Sequence, residues 1–328
     1  MARYIIKRLL WMIPVVLGVL LIVFFISYIT PGDPVKIILG SNYTEEMYEA
    51  KTQELGLDKP FLVQYGRYVA DLVTKGSMGT SYTYGQPVSA QIVSRIGITM
   101  EIGLLGVLLT IIIGVPIGVV SATKQYSVLD YSVTTLSTLF AAMPNFWLAL
   151  LCILLFSLKL GWLPATGFGT WKQLVLPVVT NALTSVAVVA RMARSSMLEV
   201  IRQDYIRTAR AKGLREGTVI RRHALKNSLI PVLTVIGMQM SMVMGGSVII
   251  ETIFSIPGLG AYMMSGINAR VFPVINGCVL VLSLSICVMN LLVDIAYAYV
   301  DPRIRSQYET RKKKAGKPVP AGNGGAAQ

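Results

Sequence analysis

Six long apolar runs separated by polar segments dominate the pattern of this chain. A helix needs roughly 20 mostly apolar residues to cross the hydrocarbon core of a bilayer, and each run is about that long or longer. The pattern therefore predicts an all-α, polytopic membrane protein with six transmembrane helices. The runs are Leu9–Ile29, Thr99–Thr123, Val133–Leu158, Leu174–Met192, Leu229–Ile253 and Val274–Tyr297.

The polar segment after the first run is too long for a simple turn. Asn42 and Glu45 have the spacing of a capping box, and Gly56 can end the short helix that follows. Asp58 can cap a second helix, which Gly76 can stop. The segment predicts an external helical insert between the first and second transmembrane helices.

These features divide the chain into four parts. Residues 1–30 hold the N-terminal segment and the first transmembrane helix, and residues 31–98 form the extracytoplasmic insert. Residues 99–300 form a five-helix core, which contains a basic loop at 193–228. Residues 301–328 are basic and then rich in Gly, Pro and Ala, a composition that predicts a disordered tail.

Composition supports a membrane protein and gives its orientation. The chain has 328 residues, of which 54% are hydrophobic and 14% charged, with a formal net charge of +14. That charge does not indicate nucleic acid, because basic residues collect on the cytoplasmic side of membrane proteins. Most of the 30 lysines and arginines fall in the N-terminal segment, the basic loop and the tail. This distribution predicts that both termini are cytoplasmic.

One stretch of the basic loop, DYIRTARAKGL, has the marks of a short capped helix outside the membrane. Asp204 is a good N-cap for a helix over Tyr205–Lys212, and Gly213 suits a left-handed residue just after it. Ala209 and Ala211 keep the helix slim, so another surface could approach its backbone. A helix this short is marginal alone and needs a partner to pack against. Its basic residues are Arg207, Arg210 and Lys212.

The stretch Ala190–Leu214, ARMARSSMLEVIRQDYIRTARAKGL, resembles the cytoplasmic loop of the B-type permease subunit of peptide ABC importers. This group includes nickel and glutathione importers. The broader importer pattern begins Glu-Ala-Ala and has a glycine six positions after the Glu. Gly213 matches that glycine, while Arg207, Thr208 and Ala209 replace the triplet, as is usual in the peptide branch.

The resemblance implies a type I ABC importer permease fold and a coupling helix that docks into a cleft on an ATPase subunit. The implied partners are a second homologous permease, two ATPase subunits, an extracytoplasmic substrate-binding protein, a peptide substrate and the lipid bilayer. The implied location is the bacterial cytoplasmic (inner) membrane. Nickel and glutathione stay open as alternatives to short peptides. The residues assigned to ATPase coupling are Asp204, Tyr205, Arg207, Thr208, Ala209, Arg210, Ala211, Lys212 and Gly213.

No pattern in the chain indicates an enzyme, a metal site or a cofactor. The single histidine, His223, lies in the basic loop, and no P-loop motif is present. Cys152, Cys278 and Cys287 fall in apolar spans, where they are expected to pack. ATP hydrolysis is therefore expected in partner subunits, and a membrane enzyme is a distant third interpretation.

The competing class is a self-sufficient secondary carrier or channel. Such a carrier usually places ionisable groups near the bilayer centre, whereas Asp294 is the residue that lies clearly inside a span, near its inner end. A polar contact at the helix end is the favoured interpretation of Asp294.

Candidates for the lining of a translocation path come from irregular or polar positions in the spans. Pro144 and Asn145 can kink the third span and expose backbone groups, although an ordinary helix irregularity fits equally well. Methionines of the fifth span suit either flexible packing or a path for varied side chains. The possible pore-lining residues are Pro144, Asn145, Asn181, Met238 and Met242.

Overall fold

The computed structural model of the chain describes residues 2–83 and 85–300, and the predicted tail at 301–328 lies outside the described residues. Within these ranges the chain is helical, with an isolated antiparallel bridge between Thr80 and Pro87. The predicted all-α class is confirmed. The helices are α1 (Ala2–Ile29), α2 (Pro34–Leu39), α3 (Glu45–Leu55), α4 (Phe61–Lys75), α5 (Val88–Leu109), α6 (Val115–Thr123), α7 (Val128–Ala142), α8 (Asn145–Cys152), α9 (Trp171–Ile201), α10 (Asp204–Ala211), α11 (Glu216–Thr218), α12 (Leu225–Ile253), α13 (Leu259–Asn268) and α14 (Phe272–Val300), with π-helical turns at Thr110–Gly114, Ile153–Lys159 and Val219–Ala224.

Four continuous helical segments are long and apolar enough to cross a membrane: Ile5–Ile29, Val88–Thr123, Trp171–Ile201 and Phe272–Ile295. Two bent helix pairs bring the number to as many as six in the described part of the chain, if each pair is one span. The first pair, Val128–Ala142 with Asn145–Lys159, is bent by 108° and the second, within 216–253, by 45°.

The bend between α7 and α8 has a local cause. Pro144 has no backbone N–H to continue a helical ladder, and proline pushes the preceding residue out of the helical region. Met143 accordingly has ψ of 131°, and Pro144 itself stands just before the first turn of α8. The predicted irregularity at these residues is therefore a sharp corner.

Several helices overrun the bounds that the apolar runs predict. The helix of the second run begins at Val88, inside the range assigned to the insert, and α9 continues to Ile201, nine residues beyond the fourth run. Charged residues did not end these helices, because Arg, Glu and Met are good helix formers outside a bilayer too. The connection between α9 and α12 is thus 202–224, shorter than the predicted loop at 193–228.

The predicted helix starts in the insert are wrong by a few residues. The N-cap of α3 is Thr44, whose hydroxyl accepts the amide of Met47 at 3.3 Å, and not Asn42. Pro60 precedes α4 without a side-chain cap, because Asp58 forms an ion pair with Lys59 instead. Where two neighbouring residues could each cap a helix, the local sequence does not decide which of them does so.

The predicted helix ends are confirmed. Gly56 and Gly76 end α3 and α4 with φ of 68° and 62°, in the left-handed region that glycine adopts without a Cβ penalty. The insert packs on α1, where the Tyr65 hydroxyl donates to the Leu17 carbonyl oxygen at 2.9 Å. Phe24 of α1 meets the ring of Tyr65 at a centroid distance of 5.7 Å.

Helix α9 occupies the centre of the bundle and packs against α5, α6, α7, α8 and α12. A Cβ at Gly118 of α6 would clash with the carbonyl oxygen of Ala190 and the Cβ of Ala193, so this glycine permits close backbone contact. Helices α1 and α14 pack together through a cluster that contains Val16, Leu20 and Leu280. The end of the bundle that carries α2–α4 is called the insert end below, and the end that carries α10 the loop end.

Candidate coupling site and translocation path

Helix α10 is the short helix expected in the basic loop, displaced by one residue. It begins at Asp204, and the residue before it, Gln203, has the extended ψ of 149° of an N-cap but no side-chain cap bond. Asp204 is therefore not the N-cap. Its carboxylate lies in the first turn, where a negative charge still complements the helix dipole.

One face of α10 is buried against its own chain. Ile206 is fully buried and Ala209 is 7% exposed, in a cluster with Met197, Val219 and Ala224. The expectation that Ala209 offers a slim face to a partner is thus wrong, because its methyl group already packs on the end of α9 and the turn before α12. This contact supplies the packing partner that so short a helix requires.

The opposite face of α10 is open. Arg207, Thr208, Ala211 and Lys212 are exposed, and Tyr205 is 42% exposed while its hydroxyl accepts a hydrogen bond from Asn227 Nδ2 at 2.8 Å. The outward surface therefore combines Lys212, an exposed Arg207–Asp204 ion pair with an N–O distance of 3.7 Å, one anchored aromatic ring and small side chains. Small residues let a second surface come close, and the net positive charge that Lys212 adds favours an acidic one.

An ion pair closes the segment that follows α10. Arg210 donates to both carboxylate oxygens of Glu216, at 3.1 Å from Nε and 2.7 Å from Nη2. The hydrogen bond from Arg210 holds the pKa of Glu216 below its ordinary value, and the same bond raises the pKa of Arg210. Both side chains are largely solvated, so the pair orients the segment more than it stabilises the fold.

Gly213 stands where it was predicted, just after α10. Its φ is 75°, and its amide donates to the Arg210 carbonyl oxygen at 2.9 Å. Lys212 precedes it as the last residue of the helical turn, with its amide bonded to the Thr208 carbonyl oxygen at 3.1 Å. The left-handed turn directs the chain toward Glu216 and allows the ion pair to form.

The residues proposed to line a path fall in different environments. Pro144 is exposed at the corner between α7 and α8, and Asn145 Oδ1 accepts a hydrogen bond from Thr184 Oγ1 at 2.8 Å. Asn181 is 2% exposed and lies between α9, α5 and α12, with its Nδ2 donating to the Val243 carbonyl oxygen at 3.4 Å. The burial of Asn181 keeps its side chain away from any open surface in this conformation.

Met238 and Met242 are 60% and 70% exposed and lie on the same face of α12. They are four residues apart, so they form a local stripe even though the methionines of this span as a set alternate in sequence. Pro231, Thr234 and Ile249 are also exposed on α12. In a membrane protein that works alone, lipid would cover such a face. In an assembled transporter the face would contact another subunit or line the translocation path.

Two buried polar clusters escaped the sequence analysis. Glu251 is fully buried at the insert end, where its carboxylate accepts from Thr99 Oγ1 at 2.7 Å and from the Ala261 amide at 3.0 Å. Thr99 Oγ1 in turn accepts the Leu259 amide at 2.8 Å. The acid thereby ties α5, α12 and the first turn of α13 together. The available signal was a carboxylate at the end of an apolar run just before a Pro-Gly turn.

The second cluster lies at the loop end. Asp130 is buried and accepts two hydrogen bonds from Arg194, at 2.5 Å and 2.8 Å, together with bonds from Ser121 Oγ and the Tyr126 amide. A bidentate Arg–carboxylate pair has fixed geometry, so it holds α6, α7 and α9 in one arrangement. Sequence spacing gave no indication of this pair, because the two charges stand 64 positions apart.

Asp294 forms the helix-end contact that the sequence favours, an ion pair with Arg8 at 2.7 Å. His223 lies in the π-helical turn before α12. No group of three or more His, Cys, Asp or Glu side chains suited to a metal ion occurs in the described ranges. The three cysteines are free thiols.

The chain matches known proteins along most of its length. The family described as "Binding-protein-dependent transport system inner membrane component" matches residues 114–306, and its N-terminal counterpart matches residues 1–103. A dipeptide transport system permease protein of Alkalihalophilus pseudofirmus is 41% identical, over 93% of this chain and 100% of that one. An oligopeptide transport system permease protein of Bacillus subtilis and a glutathione transport system permease protein of Pectobacterium atrosepticum are each 39% identical, over 93% of this chain and 99% of theirs.

A solved structure shares the fold at low sequence identity. A chain of the MetNI methionine ABC transporter, solved in inward-facing conformations, aligns with a TM-score of 0.56 and 19% identity, over 65% of this chain and 97% of that one. The predicted type I importer permease fold is thereby confirmed. The family matches and the relatives together show that the chain belongs to the binding-protein-dependent transport system inner-membrane components, the multi-pass permease subunits of ABC importers.

Proposed function

We propose that this permease forms half of the translocation path of an ATP-driven importer of short peptides. The observation that carries the coupling role is α10, a helix packed on the bundle through Ile206 and Ala209 that leaves a cationic face open. Peptide cargo is supported by the names of the relatives, which are dipeptide, oligopeptide and glutathione permeases. Glutathione is itself a short peptide, so one path chemistry suits all three.

The proposed partners follow from the absence of a P-loop motif in the sequence and from the exposed faces of α10 and α12. A second, homologous permease would complete the path, and the exposed stripe of α12 around Met238 and Met242 is a surface available for it. Two ATPase subunits would engage the coupling helices, one for each permease. An extracytoplasmic binding protein would deliver the peptide at the insert end.

The mechanism in this assignment is alternating access. Closure of the ATPase pair on ATP moves α10, and the Asp130–Arg194 pair transmits the movement because it fixes α6 and α7 to α9. Opening at the insert end admits the peptide from the binding protein. ATP hydrolysis then releases the ATPase pair and returns the path to its inward-facing form.

Reconstitution tests the proposal directly. Vesicles that contain this permease with its partner permease and ATPase subunits should accumulate peptide when the binding protein and ATP are supplied. Vesicles that contain this chain alone should show no concentrative uptake. Uptake by the chain alone, driven by an ion gradient, would make a secondary carrier the better assignment.

A further inference from the structure

Helix α4 of the insert has three faces with different surroundings. One face packs on the first and last long helices, since Tyr65, Tyr68 and Leu72 contact the α1–α14 cluster and Phe61 meets the ring of Phe24. Residues three and four apart lie on the same side of a helix, so the other residues of α4 form two flanks. One flank is polar, and the other is apolar.

The polar flank carries every charged side chain of α4, namely Arg67, Asp71 and Lys75, together with Gln64. Gln64, Arg67 and Asp71 line a cavity of about 910 Å³ between the insert helices and the outer parts of α1 and α14. Asp71 forms an ion pair with Lys75 at 2.7 Å, and Gln64 Nε2 donates to the Lys59 carbonyl oxygen at 2.8 Å. The charges of α4 therefore lie on one side of the helix, toward this cavity.

The opposite side, called the open flank below, consists of Leu62, Gly66, Val69 and Val73. Leu62 and Val73 are 71% and 78% exposed. No atom lies within 4 Å of the position that a Cβ would take at Gly66. Within residues 2–83 and 85–300, then, the chain leaves an apolar stripe along almost the whole of α4 uncovered.

The contact between α4 and α1 shows how deep α4 lies. The apolar run Leu9–Ile29 of α1 is about 30 Å long as a helix, which matches the hydrocarbon core of a bilayer. The Tyr65 hydroxyl donates to the Leu17 carbonyl oxygen at 2.9 Å. Leu17 lies about 18 Å along the helix from Ile29, and a tyrosine side chain spans less than half of that distance. The middle of α4 therefore lies beside the apolar run of α1 and not beyond its end.

The open flank continues the exposed surface of α1. Phe61, which precedes Leu62, meets the ring of Phe25 at a centroid distance of 5.6 Å and the ring of Tyr28 at 5.3 Å. Phe25 and Ile22 are exposed on a helix that is long and apolar enough to cross a membrane. Lipid that covers this side of α1 would meet Leu62 next.

Helix α3 of the same insert has a different composition. Its exposed residues include Glu45, Glu46 and Glu49, and none of its residues is buried. Such a helix suits water. The open flank of α4 carries no charged or hydrogen-bonding side chain, as contact with hydrocarbon requires.

We propose that α4 lies in the leaflet of the bilayer at the insert end, with its open flank against lipid acyl chains and its polar flank toward the external solution. Part of the segment assigned to the extracytoplasmic insert is then embedded in the membrane and anchors the insert. Lipid is the occupant, and not a binding protein or a second permease, because the open flank continues the surface of a membrane span and offers a protein no polar contact. The inference does not depend on the cargo.

Spin-label accessibility tests the environment of the open flank in the complete transporter, reconstituted into vesicles with its partner permease and ATPase subunits. The three native cysteines are first replaced by alanine. Nitroxides at Leu62→Cys and Val73→Cys should collide several-fold more often with oxygen, which concentrates in the bilayer, than with water-soluble chromium oxalate. Ile22→Cys on α1 is the lipid reference, and Glu46→Cys on α3 is the water reference.

Matched controls come from the polar flank of the same helix. Arg67→Cys and Thr74→Cys, the latter one residue after Val73, should give the reverse ratio. Labels at Leu62→Cys and Val73→Cys that collide mainly with chromium oxalate would place the open flank in water and overturn the inference. Weak collision with both reagents, with or without the binding protein, would show that a protein covers the flank and would overturn it equally.

A pair of charge substitutions provides a second measurement. Val73→Asp places a carboxylate on the open flank, whereas Thr74→Asp places one at the next position, on the polar side. In nanodiscs, Val73→Asp should speed amide hydrogen exchange across residues 61–75 several-fold, because the charge expels α4 from the leaflet. Thr74→Asp should exchange like the wild type. Equal exchange in the two variants would mean that the open flank does not contact hydrocarbon.

Discussion

Gly213 places the sharpest single-residue constraint on the connection between α9 and α12. Its φ is 75°, yet no atom lies within 4 Å of the position that a Cβ would take. A larger residue is therefore opposed by its own backbone, and not by a neighbour, with a strain of about 1–3 kcal/mol for a β-branched side chain.

We expect Gly213→Val to weaken association with the ATPase subunits while membrane levels stay normal. Gly213→Asn is the matched control, because asparagine tolerates the left-handed region and should keep association close to that of the wild type. Copurification of ATPase subunits from detergent extracts measures the effect. Equal copurification of the two variants would show that the turn has no part in docking.

Substitutions at Ala209 and Ala211 distinguish the packing of α10 on its own chain from its docking to an ATPase subunit. Ala209 is buried in the cluster below α10, so Ala209→Asp places a carboxylate among apolar side chains, at a cost of at least about 1–3 kcal/mol. Ala211 is exposed, so Ala211→Asp adds the same charge without disturbing the cluster. We expect Ala209→Asp to lower the thermal stability of the purified protein, and Ala211→Asp to weaken only ATPase association. Identical melting curves for the two variants would contradict this orientation of the helix.

At the scale of elements, the connection after α10 depends on the Arg210–Glu216 ion pair. Because the pKa of Glu216 is lowered from 4.5 in the folded chain, the pair contributes fully above that value. Its contribution is lost as the pH falls through the lowered pKa. The pair is solvated, so its worth is about 1 kcal/mol or less.

A charge swap tests whether this pair orders the connection. Arg210→Glu alone and Glu216→Arg alone should each increase amide hydrogen exchange between Lys212 and Thr218 at neutral pH. The double variant should restore protection, because it remakes the pair with its partners exchanged. Below the pKa of Glu216 the wild type should exchange as fast as the single variants. Equal exchange in the single and double variants would show that the pair does not order the connection.

The type of each element was predictable from this sequence, and its exact boundaries were less predictable. Apolar run length located each long apolar helix or bent helix pair, and Gly56, Gly76 and Gly213 mark three helix ends, because a left-handed residue after a helix has a strong local signal. Starts were harder. Thr44 and Gln203, not Asn42 and Asp204, precede their helices, since neighbouring polar residues compete for the cap and tertiary packing decides.

In the candidate sites too, local features were predictable from the sequence and tertiary contacts were not. The existence of α10 and its charge were readable from local sequence, but which face it buries was not, because burial depends on Met197 and Val219 from other elements. The pairs Asp130–Arg194 and Glu251–Thr99 join residues that are far apart in the chain. No local pattern encodes them, and only the packed bundle brings them together.

For the whole molecule, the number of membrane crossings depends on the two bent helix pairs. The described residues contain four continuous spans, or as many as six if both bent pairs cross. The corner at Pro144 is the deciding element, because a bend of 108° suits either a broken span or a re-entrant hairpin. Positive charge in the basic loop and the N-terminal segment favours crossing, with the loop end in the cytoplasm.

Cysteine accessibility distinguishes a membrane-crossing pair of α7 and α8 from a re-entrant hairpin. Tyr126 and Trp162 flank the pair and are exposed, so Tyr126→Cys and Trp162→Cys can be labelled after the three native cysteines are replaced by alanine. If the pair crosses the membrane, Tyr126→Cys should react only from the cytoplasmic side and Trp162→Cys only from outside. Ser77→Cys is the reference for the outside, and Arg215→Cys should react only from inside if the pair crosses the membrane. Labelling of both flanking positions from the same side would make the pair re-entrant, place α9 in the opposite direction and overturn the six-span topology, since the positive-inside distribution could then not hold for both α10 and the N-terminus.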